Sequence, residues 1–124
     1  MFFLSFAAYG ADSLSGLATV ELAGNGQHRR YDMAVLISDP SHAVFEVLDD
    51  LGNTVLKMET NEKRTWLIQR GKRRRISDKK FKKLLSLPVT PAELVSDLLE
   101  RAPRGIFTYY YTHYLKISWQ KIYQ

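Results

Sequence analysis

Nine cationic side chains fall within fourteen residues: Arg70, Lys72, Arg73, Arg74, Arg75, Lys79, Lys80, Lys82 and Lys83, with Asp78 the only acid among them. Side chains of this type at this density can bind anions. The window carries a net +8 in a chain whose total is +5, so the remainder sums to −3 and the basicity is local. A local excess points to an anionic partner or to one solvated face. The candidate anion-binding residues are Arg73, Arg74, Arg75, Lys79, Lys80 and Lys83. A nucleic acid would also need aromatic platforms on which bases stack. Trp66 and Phe81 flank the run, but each fits the apolar periodicity of its own element. Nucleic acid therefore ranks below an anionic membrane surface or a solvated face.

Other chemistry is sparse. Asp49-Asp50 is the only adjacent carboxylate pair, and it lies in a turn pattern where two solvated acids help to break a strand. His28, His42 and His113 are far apart in sequence, and no H-E-x-x-H pattern joins them. The chain has no cysteine, which removes disulfides, thiol catalysis and thiolate metal sites. No glycine-rich phosphate loop or nucleophile elbow is present. The residues thus predict no catalytic set, no metal site and no cofactor.

Positioning these groups falls to a single domain of 124 residues, with 45% hydrophobic and 25% charged residues. No apolar run reaches the roughly 18–20 residues of a membrane-spanning helix. Residues 1–11 stand apart. Met1 to Ala8 is an apolar stretch of signal-peptide length, and Ala8-Tyr9-Gly10 supplies small residues at cleavage-site spacing, without a cationic start. The segment is read either as a signal-peptide remnant or as a short packing segment, with 12–124 as the domain.

From Gly16 to about Ser77 the pattern is that of a β-meander. Leu17 to Ala23 places Ala18, Val20 and Leu22 on one face, and Gly24-Asn25-Gly26 turns the chain. Gln27 to Ser38 places Tyr31, Met33, Val35 and Ile37 together. His42 to Leu48 does the same for Phe45 and Val47, and Thr54 to Thr60 for Leu56 and Met58. Arg64 to Gln69 carries Trp66 and Ile68, and Arg70-Gly71-Lys72 closes a hairpin into Arg73 to Ile76. Short links between such strands demand antiparallel pairing. The period then changes. Ser77 or Asp78 caps a short helix with Phe81, Leu84 and Leu85 inward. Thr90-Pro91-Ala92-Glu93 is a capping box for a second helix, to about Ala102, that buries Leu94, Val95, Leu98 and Leu99. Ile106 to Thr112 and Leu115 to Tyr123 close the chain as one or two strands.

The expected fold class is α+β: a curved antiparallel β-sheet of about six or seven strands, a half-open barrel, with two helices packed on its concave face. A sheet of that shape can hold an elongated apolar ligand, and the same side chains are what an ordinary core requires. The candidate lining residues are Met33, Val35, Phe45, Val47, Leu56, Met58, Trp66, Ile68, Leu94 and Leu98.

Several segments taken in order resemble one family. Ser15-Gly16-Leu17-Ala18-Thr19-Val20-Glu21-Leu22 is similar to the opening strand of the bacterial Lol lipoprotein-carrier and outer-membrane lipoprotein receptor superfamily. Asp39-Pro40 followed by Phe45-Glu46-Val47 resembles its next strand pair, and Asp50-Leu51-Gly52-Asn53-Thr54 resembles its P-L-G-x-T turn. Leu84 to Leu87 and Pro88-Val89-Thr90-Pro91-Ala92-Glu93-Leu94-Val95 resemble the approach to its lid helix. The resemblance covers roughly 13–103. It implies a non-catalytic lipid-binding transport protein in the periplasm or at the periphery of the outer membrane, with a lipid or lipoprotein acyl chain as partner. It also implies a membrane-contact role for Leu51. The alternative is binding of nucleic acid or an anionic surface through segment 70–83.

Overall fold

Strict alternation and tight turns build most of the molecule. The computed structural model describes residues 13–24, 27–101, 107–112 and 115–121. The 1–11 segment and the last two residues of the Gly24-Asn25-Gly26 turn lie outside them. The elements are β1 (Leu14–Gly24), β2 (Gln27–Asp39), β3 (His42–Leu48), β4 (Thr54–Asn61), β5 (Arg64–Gln69), β6 (Lys72–Ile76), α1 (Asp78–Leu85), α2 (Pro91–Arg101), β7 (Phe107–Thr112) and β8 (Leu115–Lys121).

The eight strands among the described residues form one sheet in the order β6-β5-β4-β3-β2-β1-β8-β7. Consecutive strands from β1 to β6 pair antiparallel, as their short links require. At the two-residue link Gln69–Lys72, Arg70 (φ 52°) and Gly71 (φ 76°) are both left-handed, the geometry of a type I′ hairpin. The two closing strands pair with each other, and β8 then docks on β1, so the last strands flank the first. The sheet is therefore two strands beyond the smaller expected count. β1 also starts earlier than expected, because Leu14 pairs with Ile37 and is buried with it.

Alternation puts Val20, Met33, Val35, Ile37, Phe45, Met58 and Leu67 on one face, where they join the helices in a single core. The chain leaves the sheet at β6, on one edge, and returns at β7, on the other, so α1 and α2 must cross that face. Along α1 the contacts record the crossing. Phe81 meets Phe45 of β3 edge-to-face, with ring centroids 5.7 Å apart. Further on, the Tyr31 hydroxyl of β2 donates to the Leu85 carbonyl at 2.6 Å. The fold is thus α+β, an open antiparallel sheet in half-barrel form with both helices on its inner side.

Trp66 and Ile68 are a correction. Both were expected with the inward set, yet β5 turns Thr65 and Leu67 inward instead. Register decides this: Leu67 lies opposite buried Met58, and Thr65 lies opposite buried Thr60. The inward threonines satisfy each other, since Thr65 Oγ1 donates to Thr60 Oγ1 (3.2 Å) and Thr60 Oγ1 to the Arg64 carbonyl (3.2 Å).

Candidate functional site

Among the described residues, neighbouring strands separate at one end of β4 and β5. The β4–β5 ladder ends at the pair Lys57 and Ile68. Beyond it, β4 stays with β3 as far as Thr54 opposite Leu48, while β5 stays with β6 to the hairpin at Gln69 and Lys72. Two hairpin ends therefore diverge, and a cleft of about 1020 Å³ opens between them. Because it passes between strands, it takes side chains from both faces. Its apolar wall is Val55, Leu56, Leu67 and Ile68. Its polar wall is Glu46, Thr54, Lys57, Gln69, Arg70, Lys72, Arg73 and Arg74.

The electrostatics of the cleft are one-sided, with five cations and one carboxylate on its walls. Glu46 is engaged by Thr54, whose hydroxyl donates to Oε1 at 3.4 Å. Arg73 pairs with Glu59 at 3.0 Å and lies 4.6 Å from the centre of the Trp66 ring, a cation–π contact. Among the described residues no carboxylate forms an ion pair with Arg70, Lys72 or Arg74, and all three are exposed.

Next to the cleft, at the start of β4, a loop holds Leu51 outward. Asp49 Oδ1 accepts from the Leu51 and Asn53 backbone N–H groups, both at 2.9 Å, and the Gly52 N–H donates to the Asp49 carbonyl at 3.0 Å. Gly52 turns the chain at φ 84°, a conformation that favours glycine. Leu51 is 86% exposed and Val55, on the cleft wall, 56%. The carboxylate pair read from the sequence is therefore split in role: Asp49 buckles the loop and Asp50 is exposed.

The expected lining residues do not form one cavity. Met33, Val35, Phe45, Met58, Leu94 and Leu98 are at most 2% exposed and fill the core beneath the helices. Val47 and Leu56 pack partly buried at its margin. Of the ten, Leu56 and Ile68 line the cleft, and Trp66 stands on the outer face under Arg73. The expected anion set also divides. Arg73 and Arg74 line the cleft, and Arg75 borders a smaller hollow of about 470 Å³ with Lys63, Ile76, Ser77 and Asp78. Lys79, Lys80 and Lys83 are exposed on α1. Neither aromatic flank offers an open platform for a base: Phe81 is fully buried, and Arg73 covers one face of Trp66. Sequence reasoning missed Val55, Lys57 and Leu67, and kept Arg70 and Lys72 in the basic run without placing them in the candidate set. The available signal was parity, since an inward Met58 requires an inward Leu67 across the ladder.

No group of three or more metal-ligating side chains occurs among the described residues. No helix among them is long and apolar enough to cross a membrane. No family model matches the chain, and no curated protein matches it. Among solved structures, the chain is similar to a LolA superfamily protein from Nitrosomonas europaea, with 12% identity and a TM-score of 0.48. The match covers 56% of this chain and 33% of that one, so it spans about a third of that structure's length.

Proposed function

We propose that this protein binds a lipid or lipoprotein acyl chain without catalysis, at the periphery of a bacterial envelope membrane. The observation that carries the reading is the cleft: about 1020 Å³, walled by Val55, Leu56, Leu67 and Ile68, with exposed Leu51 beside it. A volume of this order is that of a small-molecule site. Exposed Val55 on the cleft wall, and exposed Leu51 in the loop that leads to it, offer apolar surface to an acyl chain. The order of segments similar to the Lol superfamily supports the same reading. The same resemblance supports a place in the periplasm or at the outer-membrane periphery.

The test is saturable binding of a neutral, single-chain fluorescent probe to the full chain. Val55→Glu should weaken binding about tenfold or more, roughly 1.4 kcal/mol, with the melting temperature unchanged because Val55 is largely exposed. Absence of saturable binding by the unmodified protein would overturn the proposal.

A further inference from the structure

We infer that the cleft selects an anionic amphiphile, whose phosphate-bearing headgroup sits against Arg70, Lys72 and Arg74 while its chain lies along Val55, Leu56, Leu67 and Ile68. This rests on the acyl-chain reading above and names the ligand class. Three features of the cleft carry it. First, charge: Lys57, Arg70, Lys72, Arg73 and Arg74 face a single wall carboxylate, Glu46. A concave surface with one sign of charge concentrates counter-ions of the other. Second, availability: Arg73 is committed to Glu59 and Trp66, whereas Arg70, Lys72 and Arg74 have no ion-pair partner among the described residues. Guanidinium groups in that state suit the paired oxygens of a phosphate. Third, placement: Arg70 occupies a left-handed position, φ 52°, where asparagine or glycine would sit with less strain. The hairpin thus presents a cation at its tip against local backbone preference. The cations and the apolar wall share one cleft, as the two halves of an amphiphile require.

The probes are a short-chain phosphatidic acid, the phosphatidylcholine of matching chains, inorganic phosphate and a single-stranded oligonucleotide. Each is titrated into the full chain by calorimetry at low salt. The expected result is about tenfold tighter binding of the phosphatidic acid than of the phosphatidylcholine, a preference that shrinks as salt rises. In the variant combining Arg70→Asn, Lys72→Gln and Arg74→Gln, the two affinities should converge. All three positions are exposed, and asparagine suits the left-handed site, so circular dichroism should report an unchanged fold. Lys72→Gln alone should show an intermediate ratio. Equal affinities in the unmodified protein would overturn the headgroup assignment and leave the acyl-chain reading intact. Failure of both lipids to bind would overturn both. Inorganic phosphate or the oligonucleotide binding as tightly as the phosphatidic acid would overturn the amphiphile and assign the cations to a bare phosphate.

Discussion

Leu51 is exposed because Asp49 holds it there. Two backbone N–H groups point at one carboxylate oxygen, and the loop closes over it with Gly52 at a φ that a Cβ would strain. Leu51→Glu should leave the melting temperature nearly unchanged and reduce sedimentation with vesicles, because the side chain makes little use of the core. Asp49→Ala should act differently. It removes the acceptor of two hydrogen bonds, costs about 1 kcal/mol, and frees the loop, so proteolysis at 50–53 should accelerate. At this scale much was legible in the sequence. The outward leucine follows from turn chemistry alone, whereas Trp66 and Ile68, apolar residues that share one parity in β5, point away from the core. In a strand, parity outranks size and apolarity: the ladder to Met58 fixes Leu67 inward, and its neighbours must point out.

Among the elements, α2 starts as its four opening residues predict. The Thr90 N–H donates to Glu93 Oε1 at 2.8 Å, and the Glu93 N–H donates to Thr90 Oγ1 at 3.1 Å. The Thr90 N–H first, and then the Thr90 side chain, hold the Glu93 carboxyl below its ordinary range. Asp39 is lowered in the same way, first by the Ser41 hydroxyl and then by its N–H. A carboxyl with a lowered folded-state pKa stabilises the fold fully above its unfolded value, and that contribution is lost as pH falls through the folded value. Melting temperature should therefore fall on acidification below about pH 4.5, the ordinary Glu value, and Glu93→Gln should flatten that slope. Thr90→Ala should cost about 1 kcal/mol. The cap of α1 was equally legible, and Ser77 fills it by accepting from the Lys80 N–H at 3.1 Å. Its C-terminal end was not. Ser86 takes the left-handed position (φ 55°) usual for glycine, and its hydroxyl accepts from Arg29 Nη1 at 2.7 Å. That partner lies 57 residues away, so no local pattern could show it.

For the whole molecule, the meander and the helix pair were readable because each link is short and each turn carries its own chemistry. The cleft was not, because it belongs to neither hairpin. It exists where two ladders of different reach, β3–β4 and β5–β6, stop sharing a boundary. The anion set is one run in sequence and so looks like one patch there. Folding turns that run through a hairpin edge and then onto a helix, which separates Arg73 and Arg74 from the lysines of α1.

The docking of β8 on β1 also sets an order of assembly. Strands β1 to β6 can zip from neighbour to neighbour, but the outer edge of β1, from Gly16 to Leu22, finds its partner only after both helices have been traversed. Contacts of such long sequence separation close slowly. A nascent chain therefore carries an unpaired strand edge while the rest of the sheet is made, and an unpaired edge is a template for a second chain. The opposite edge, β6, is guarded by exposed Lys72, Arg73, Arg74 and Arg75. Among the described residues, the β1 edge has only the late strand to close it. A chain ending at Arg101 should accordingly form concentration-dependent dimers joined edge to edge through β1, visible by analytical ultracentrifugation. Thr19→Lys, which sets a charge on β1 itself, midway along the exposed edge, should return it towards monomer. A monomeric, fully folded truncation at every concentration would show instead that the seam between the first and last strands is dispensable for solubility.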